Sequence, residues 1–179
     1  MCVFDLDVTV GALLLARSYY ELTVEKDYSM AIILSAAGFE AELSRLFGKW
    51  KRIDQGLEGK EHFSDEEIEK MLLTLPTMID RRIKEVCRLL DARGISDFVR
   101  SDDELRQTIE DRFHSLRIPT IAKDIQTTLF WPRNKILHAG FANYGLDDAS
   151  GCYSIANVGL RILKKMDLAR RKKLNATMG

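Results

Sequence analysis

The chain has 179 residues, 46% hydrophobic and 30% charged, with 27 basic residues balanced by 27 acidic ones. That length and composition exclude a disordered, fibrous or disulfide-stapled chain and fit one globular domain, residues 1–179, while the zero net charge leaves room for a local basic patch. Three cysteines, Cys2, Cys87 and Cys152, lack metal-type spacing and read as small buried hydrophobes, reduced thiols of a cytoplasmic protein.

The apolar run at residues 8–16 is too short to cross a bilayer and lacks a basic flank, so neither a membrane span nor a signal peptide is expected. Leu6, Val10, Leu13, Leu14, Tyr20 and Val24 follow helical spacing and predict a helix over about 7–24, with Asp27 capping the next. That second helix, about 28–52, carries the clearest seam: Ile32, Ala36, Phe39, Leu43, Leu46 and Trp50 step by three and four. Ala36, Ala37 and Gly38 allow a neighbour to come close. Glu40 lies beside the seam, where a carboxylate either reaches solvent at the stripe's edge or meets a cation.

Residues 54–64 read as a loop, closed by a capping box of Ser64 with Glu67. The helix from Asp65 breaks or kinks at Pro76, and Ile79, Ile83, Val86 and Leu90 continue an apolar face beyond it. Six acids against two lysines between Glu58 and Lys70 mark a solvated surface that RNA should avoid. Gly94 ends this element, and Ser101 with Glu104 reads as a second capping box opening a helix with Leu105, Ile109 and Phe113 inward. His62 and His114 read as exposed or structural. A further helix starts near Pro119 and runs through Ile121, Ile125 and Leu129.

It leads into FWPRNKILHAG, residues 130–140, around which the functional reading is organised. A helix turns about 100° per residue, so Asn134 and His138 share a face and Arg133 lies a quarter turn away. Pro132 either opens a separate helix, which would put Arg133 at an anion-favouring N-terminus, or kinks a continuous one. Trp131 reads as a core residue, with stacking on a base as the alternative. Residues 140–152 read as a glycine-rich loop. The last helix, about 153–173, turns Ile155, Val158, Ile162, Met166 and Ala169 to one side, with Arg161, Lys164, Lys165, Arg171 and Lys172 on the other. Seven basic residues face only Asp167 between Arg161 and Lys173, a sign that suits an RNA backbone.

Arg133 supplies a permanent planar fork of donors, Asn134 an orienting amide and His138 an imidazole that exchanges protons near neutrality. These are the groups that metal-free RNA cleavage uses: a base for the 2′-hydroxyl and a cation for charge developing on phosphorus. The string RNKILHAGF resembles the Arg-Asn-x-x-x-His signature of the HEPN superfamily, all-helical nucleotide-binding and ribonuclease domains, and the helix pair around SAAGFEAELSRLF is more loosely similar to the opening of such domains. The resemblance implies an all-α, HEPN-like bundle, for which the periodicity indicates about five or six helices. It also implies a homodimer whose composite site cuts RNA without metal or cofactor, in a toxin or antiphage-defence effector with an antitoxin or other protein partner. Arg133 and His138 are then catalytic, Asn134 supporting, and Glu40 pairs with Arg133 or orients His138. The alternative is a non-catalytic dimeric scaffold of the same fold that binds RNA, nucleotide or a protein.

Overall fold

The computed structural model describes residues 9–74, 78–112, 117–140 and 143–178, among which every regular element is helical. Cys2, Leu6, Pro76, Phe113 and His114 lie outside the described residues. The architecture is an all-α bundle. Its centre is α2 (Tyr28–Leu57), packed most extensively against α1 (Val10–Tyr20) and α9 (Leu146–Met178). Asp27 caps α2 by accepting from the Met30 amide at 2.9 Å. All six residues of the predicted seam, Ile32, Ala36, Phe39, Leu43, Leu46 and Trp50, are buried. Burying one large apolar side chain stabilises by about 1.5–3 kcal/mol. A glycine in a helix costs only about 1 kcal/mol. Burial therefore easily carries α2 past Gly38 and Gly48.

Gly38 has a specific use. A Cβ there would sit 2.9 Å from the Gly11 carbonyl oxygen, and one on Gly11 would sit 2.7 Å from the Gly38 carbonyl oxygen, so α1 and α2 cross backbone to backbone. Further along, the Ser18 hydroxyl donates to the Ala31 carbonyl at 2.8 Å, which leaves Ser35 as the donor in the 2.7 Å Ser18–Ser35 bond. Close approach and these buried hydrogen bonds select Gly11, Leu15, Ser18 and Leu22 as the inner face. The larger stripe of Val10, Leu13, Tyr20 and Val24 is left exposed. A π-helical turn, Glu21–Glu25, ends α1, and Lys26 reverses the chain at φ 58°.

Several boundaries differ from the sequence reading. Helix α2 runs on to Leu57, so the loop begins at Glu58, four residues later than expected, and turns at Gly59, φ 70°. The Ser64–Glu67 capping box forms in both directions, at 2.8 and 3.2 Å, and opens α3 (Asp65–Thr74). In α4 (Ile79–Leu89) and just past it, Ile79, Ile83, Val86 and Leu90 are buried. The turn after α4 is made by Asp91, φ 57°, and Gly94 instead precedes a short α5 (Ile95–Ser101) held by buried Ile95 and Val99.

The expected Ser101–Glu104 capping box is absent. Ser101 is the last residue of α5 and its hydroxyl donates back to Phe98, so Asp102 caps α6 (Asp103–Arg112) through the Leu105 amide at 2.9 Å. Of these two, α6 answers to the expected helix and α5 is an additional one. Helix α9 starts at Leu146, seven residues before the predicted 153, because the Asp148 carboxylate accepts from the Gly145 amide (3.1 Å) and Ala149 and Cys152 are buried. Ile155, Val158, Ile162 and Met166 are buried as expected, whereas Ala169 is exposed. Among the described residues, no helix is long and apolar enough to cross a membrane.

Candidate active site

The chain enters the motif through a 3₁₀ turn (Ile118–Thr120), α7 (Ile121–Asp124), a π-helical segment (Ile125–Phe130) and α8 (Trp131–Ala139), in unbroken succession. Pro132 thus neither opens a separate helix nor breaks one. In an α-helix its ring would collide with the Thr128 carbonyl four residues back. The wider π segment separates the two, with the Trp131 amide bonded to Gln126 instead. The freed Thr128 carbonyl accepts from the Cys152 thiol at 2.9 Å. Burial pushes that thiol up to about 12, the Asp148 charge adding to it, so it stays a neutral donor. Phe130 packs edge-on against Phe39, ring centres 6.1 Å apart, and fixes the segment to α2. Gly140, φ 62°, ends α8.

No residue of α8 is fully buried. Arg133, half-buried, turns toward α2: one terminal nitrogen lies 3.4 Å from the Glu40 carboxylate and the other donates to Asn134 Oδ1 at 2.9 Å. The guanidinium is therefore held at both tips, and the bonded Oδ1 leaves the Asn134 amide NH₂ available as a donor. His138 is exposed one turn further on, with no hydrogen bond or ion pair to the described residues. So Arg133, Asn134 and Glu40 are brought together, while His138, exposed on the same helix, makes no hydrogen bond or ion pair with them.

The core expectation for Trp131 fails. The ring is 62% exposed, because the inward positions here belong to Leu129 and Phe130, and the Lys135 ammonium lies 4.0 Å from its centre. Beside it opens a cavity of about 270 Å³ lined by Glu40, Met78, Gln126, Phe130, Arg133 and Asn134, among others. Gln126 is a lining residue that the motif does not point to. Its spacing of four residues from Phe130 and eight from Asn134 is the signal that places it on their face.

The basic stretch of α9 is less uniformly free than its sequence suggests, because four of its seven cations meet carboxylates. Lys165 pairs with Asp102 and Glu104, Arg170 with Asp54 and Asp91, Lys173 with Asp91, and Arg171 with Asp167. These acids come mostly from distant stretches of sequence, which a count along one helix cannot see. Arg161 donates to Asn157, and Lys164 and Lys172 are exposed. Asp167, 3% exposed, accepts from Lys49 Nζ at 2.5 Å and Trp50 Nε1 at 2.7 Å. Burial pushes its carboxyl up, but the hydrogen bonds from Lys49 and Trp50 and the charges of Lys49 and Arg171 outweigh that and hold it below the usual range. Burial pushes the Lys49 ammonium down against the same contact. The carboxylate, collecting two donors and a second cation, is the partner whose charged form the cluster favours.

Among the described residues, no three His, Cys, Asp or Glu side chains are grouped to hold a metal ion. No family model matches the chain, and neither a curated protein nor a solved structure is significantly similar to it.

Proposed function

We propose that the protein is a metal-independent endoribonuclease of HEPN type, working as a homodimer through a site built on α8. The observation that carries this reading is the Arg133 guanidinium, half-buried and anchored at both tips by Glu40 and Asn134, one turn from an exposed, unengaged His138. An anchored arginine suits a pentacovalent phosphorus, and an exposed imidazole is free to meet substrate. In the reaction, the ribose 2′-oxygen attacks the adjacent phosphorus as His138 takes its proton. Arg133 neutralises the charge gathering on the non-bridging oxygens, and the 5′-oxygen of the next nucleotide leaves, taking a proton from solvent, to which the His138 imidazolium returns the one it took. The products are a 2′,3′-cyclic phosphate and a 5′-hydroxyl. Trp131 and Leu137, 62% and 49% exposed on the same helix as His138, favour covering α8 by a second copy, which would bring two sets of Arg133 and His138 together.

The test is incubation of purified protein with mixed cellular RNA in EDTA, alongside His138→Ala and Arg133→Lys and a measurement of mass in solution. Cleavage by the parent should fall about 10²- to 10⁴-fold in His138→Ala. A parental rate in either folded variant would falsify the assignment. The second reading, a non-catalytic scaffold with an RNA, nucleotide or protein partner, is favoured by the exposed stripe of Val10, Leu13, Tyr20 and Val24, an apolar face of the kind that marks protein contacts. Binding without cleavage would support it.

A further inference from the structure

A second concavity, about 380 Å³, lies between α1, α2 and α9, on the far side of α2 from the motif. Glu40 faces Arg133, whereas Glu42, two residues on and about 200° around the helix, lines this groove. Its walls carry four cations, Arg45, Arg161, Lys164 and Arg171, against two carboxylates, Glu42 and Asp167. Both carboxylates are buried and already engaged. Glu42, 4% exposed, receives Arg45 in a two-point contact at 2.5 and 3.0 Å, and Asp167 receives Lys49, Trp50 and Arg171. Their effect on the groove is to hold two guanidinium groups in place at its wall. Arg161 and Lys164, exposed and with no carboxylate partner among the described residues, supply the groove's surplus positive charge. Leu160 and the 45% exposed Leu168 give the same groove an apolar side.

We propose that this groove binds a small phosphate-bearing anion with a short apolar body, at a site separate from the motif on α8. Fixed guanidinium groups match phosphate oxygens in two-point contacts, and a lysine adds a charge that can follow the ligand. Holding those groups in advance lowers the ordering cost of binding. The apolar wall favours a phosphomonoester over bare phosphate. None of the residues involved belongs to the proposed nuclease site, so the two readings stand or fall separately.

The experiment is calorimetric titration of the full chain, at constant salt, with phenyl phosphate and with inorganic phosphate. Phenyl phosphate should bind saturably, one per chain, and more tightly than inorganic phosphate. Arg161→Gln with Lys164→Gln should weaken it by about tenfold or more. Leu168→Glu, which sets a negative charge on the apolar wall, should weaken it as well and serves if the double variant fails to fold. Arg133→Gln should leave it unchanged. No saturable binding, or binding that Arg133→Gln abolishes and the groove variants retain, overturns the proposal.

Discussion

Asp167→Asn tests the buried charge cluster that ties α9 to α2. The variant keeps the shape and an acceptor for Trp50 Nε1, but takes the negative charge from beneath Lys49, whose side chain is 21% exposed, and Arg171, 46% exposed. Removing one partner of a fully buried pair costs about 3–5 kcal/mol. Lys49 can tip its ammonium partly into water and the Arg171 contact is solvent-screened, so the loss here falls below that range, at about 2–3 kcal/mol. At about 2–4 °C per kcal/mol for a chain of this size, the melting temperature should drop by about 4–12 °C near neutral pH.

The pH dependence has a defined sign. A carboxyl held below its unfolded value, about 3.9, gives stability that is complete above that pH and is lost as pH falls through the folded value. Thermal melts followed by far-UV circular dichroism should therefore show parent and variant converging in acid and separating toward neutrality. A variant that melts with the parent at neutral pH, or a gap that does not narrow in acid, would refute the account of this cluster.

Gly38→Ala should destabilise by about 1–2 kcal/mol, overpacking against the Gly11 carbonyl exceeding the gain in helix propensity, while Gly145→Ala, with open space around it, should melt as the parent does. Cys87 and Cys152, both buried and pushed up to about 12, should resist a thiol reagent in the native state and react on unfolding. Because the folded values are raised, their stabilising effect is full below the unfolded value, about 8.5, and is lost as pH rises toward 12, so the melting temperature should fall in alkali. Trp131→Ala should cost the single folded chain less than about 0.5 kcal/mol, since the residue is 62% exposed there; a larger, concentration-dependent loss in denaturant titration would mark its burial against a second copy.

The parts of the fold legible in the sequence are those with one strong local cause. The α2 seam, the Asp27 cap and the Ser64–Glu67 box each need only a single stretch of chain, and each is present. Choices between two locally acceptable options were not legible. Helix α1 carries two stripes, and the bulkier one lies outside because Gly11 and Ser18 find Gly38, Ala31 and Ser35 on another helix. Ser101 and Asp102 are both good caps, and α5 decides between them by consuming Ser101. The charges of α9 look unopposed until Asp54, Asp91 and Asp102 arrive from other elements. In the candidate site, the Glu40–Arg133 pairing was one of two options the sequence offered, and the cavity beside it depends on Met78 and Gln126, which no motif connects.

Pro132 is the instructive case, because its accommodation changes what Arg133 has to do. Had the proline opened a new helix, free amides at the N-terminus would share any phosphate with the guanidinium, and replacing Arg133 would remove only part of the positive field. The π segment runs straight into α8, and the Trp131 amide is spent on the Gln126 carbonyl. Pro132 has no amide to offer, and the Thr128 carbonyl it displaces is satisfied by Cys152 rather than by water or ligand. Any phosphate brought to this part of α8 therefore meets side chains alone. The consequence is that Arg133→Lys probes the fork itself: the charge is retained, Glu40 still faces it, and only the two-tip geometry held by Glu40 and Asn134 is lost.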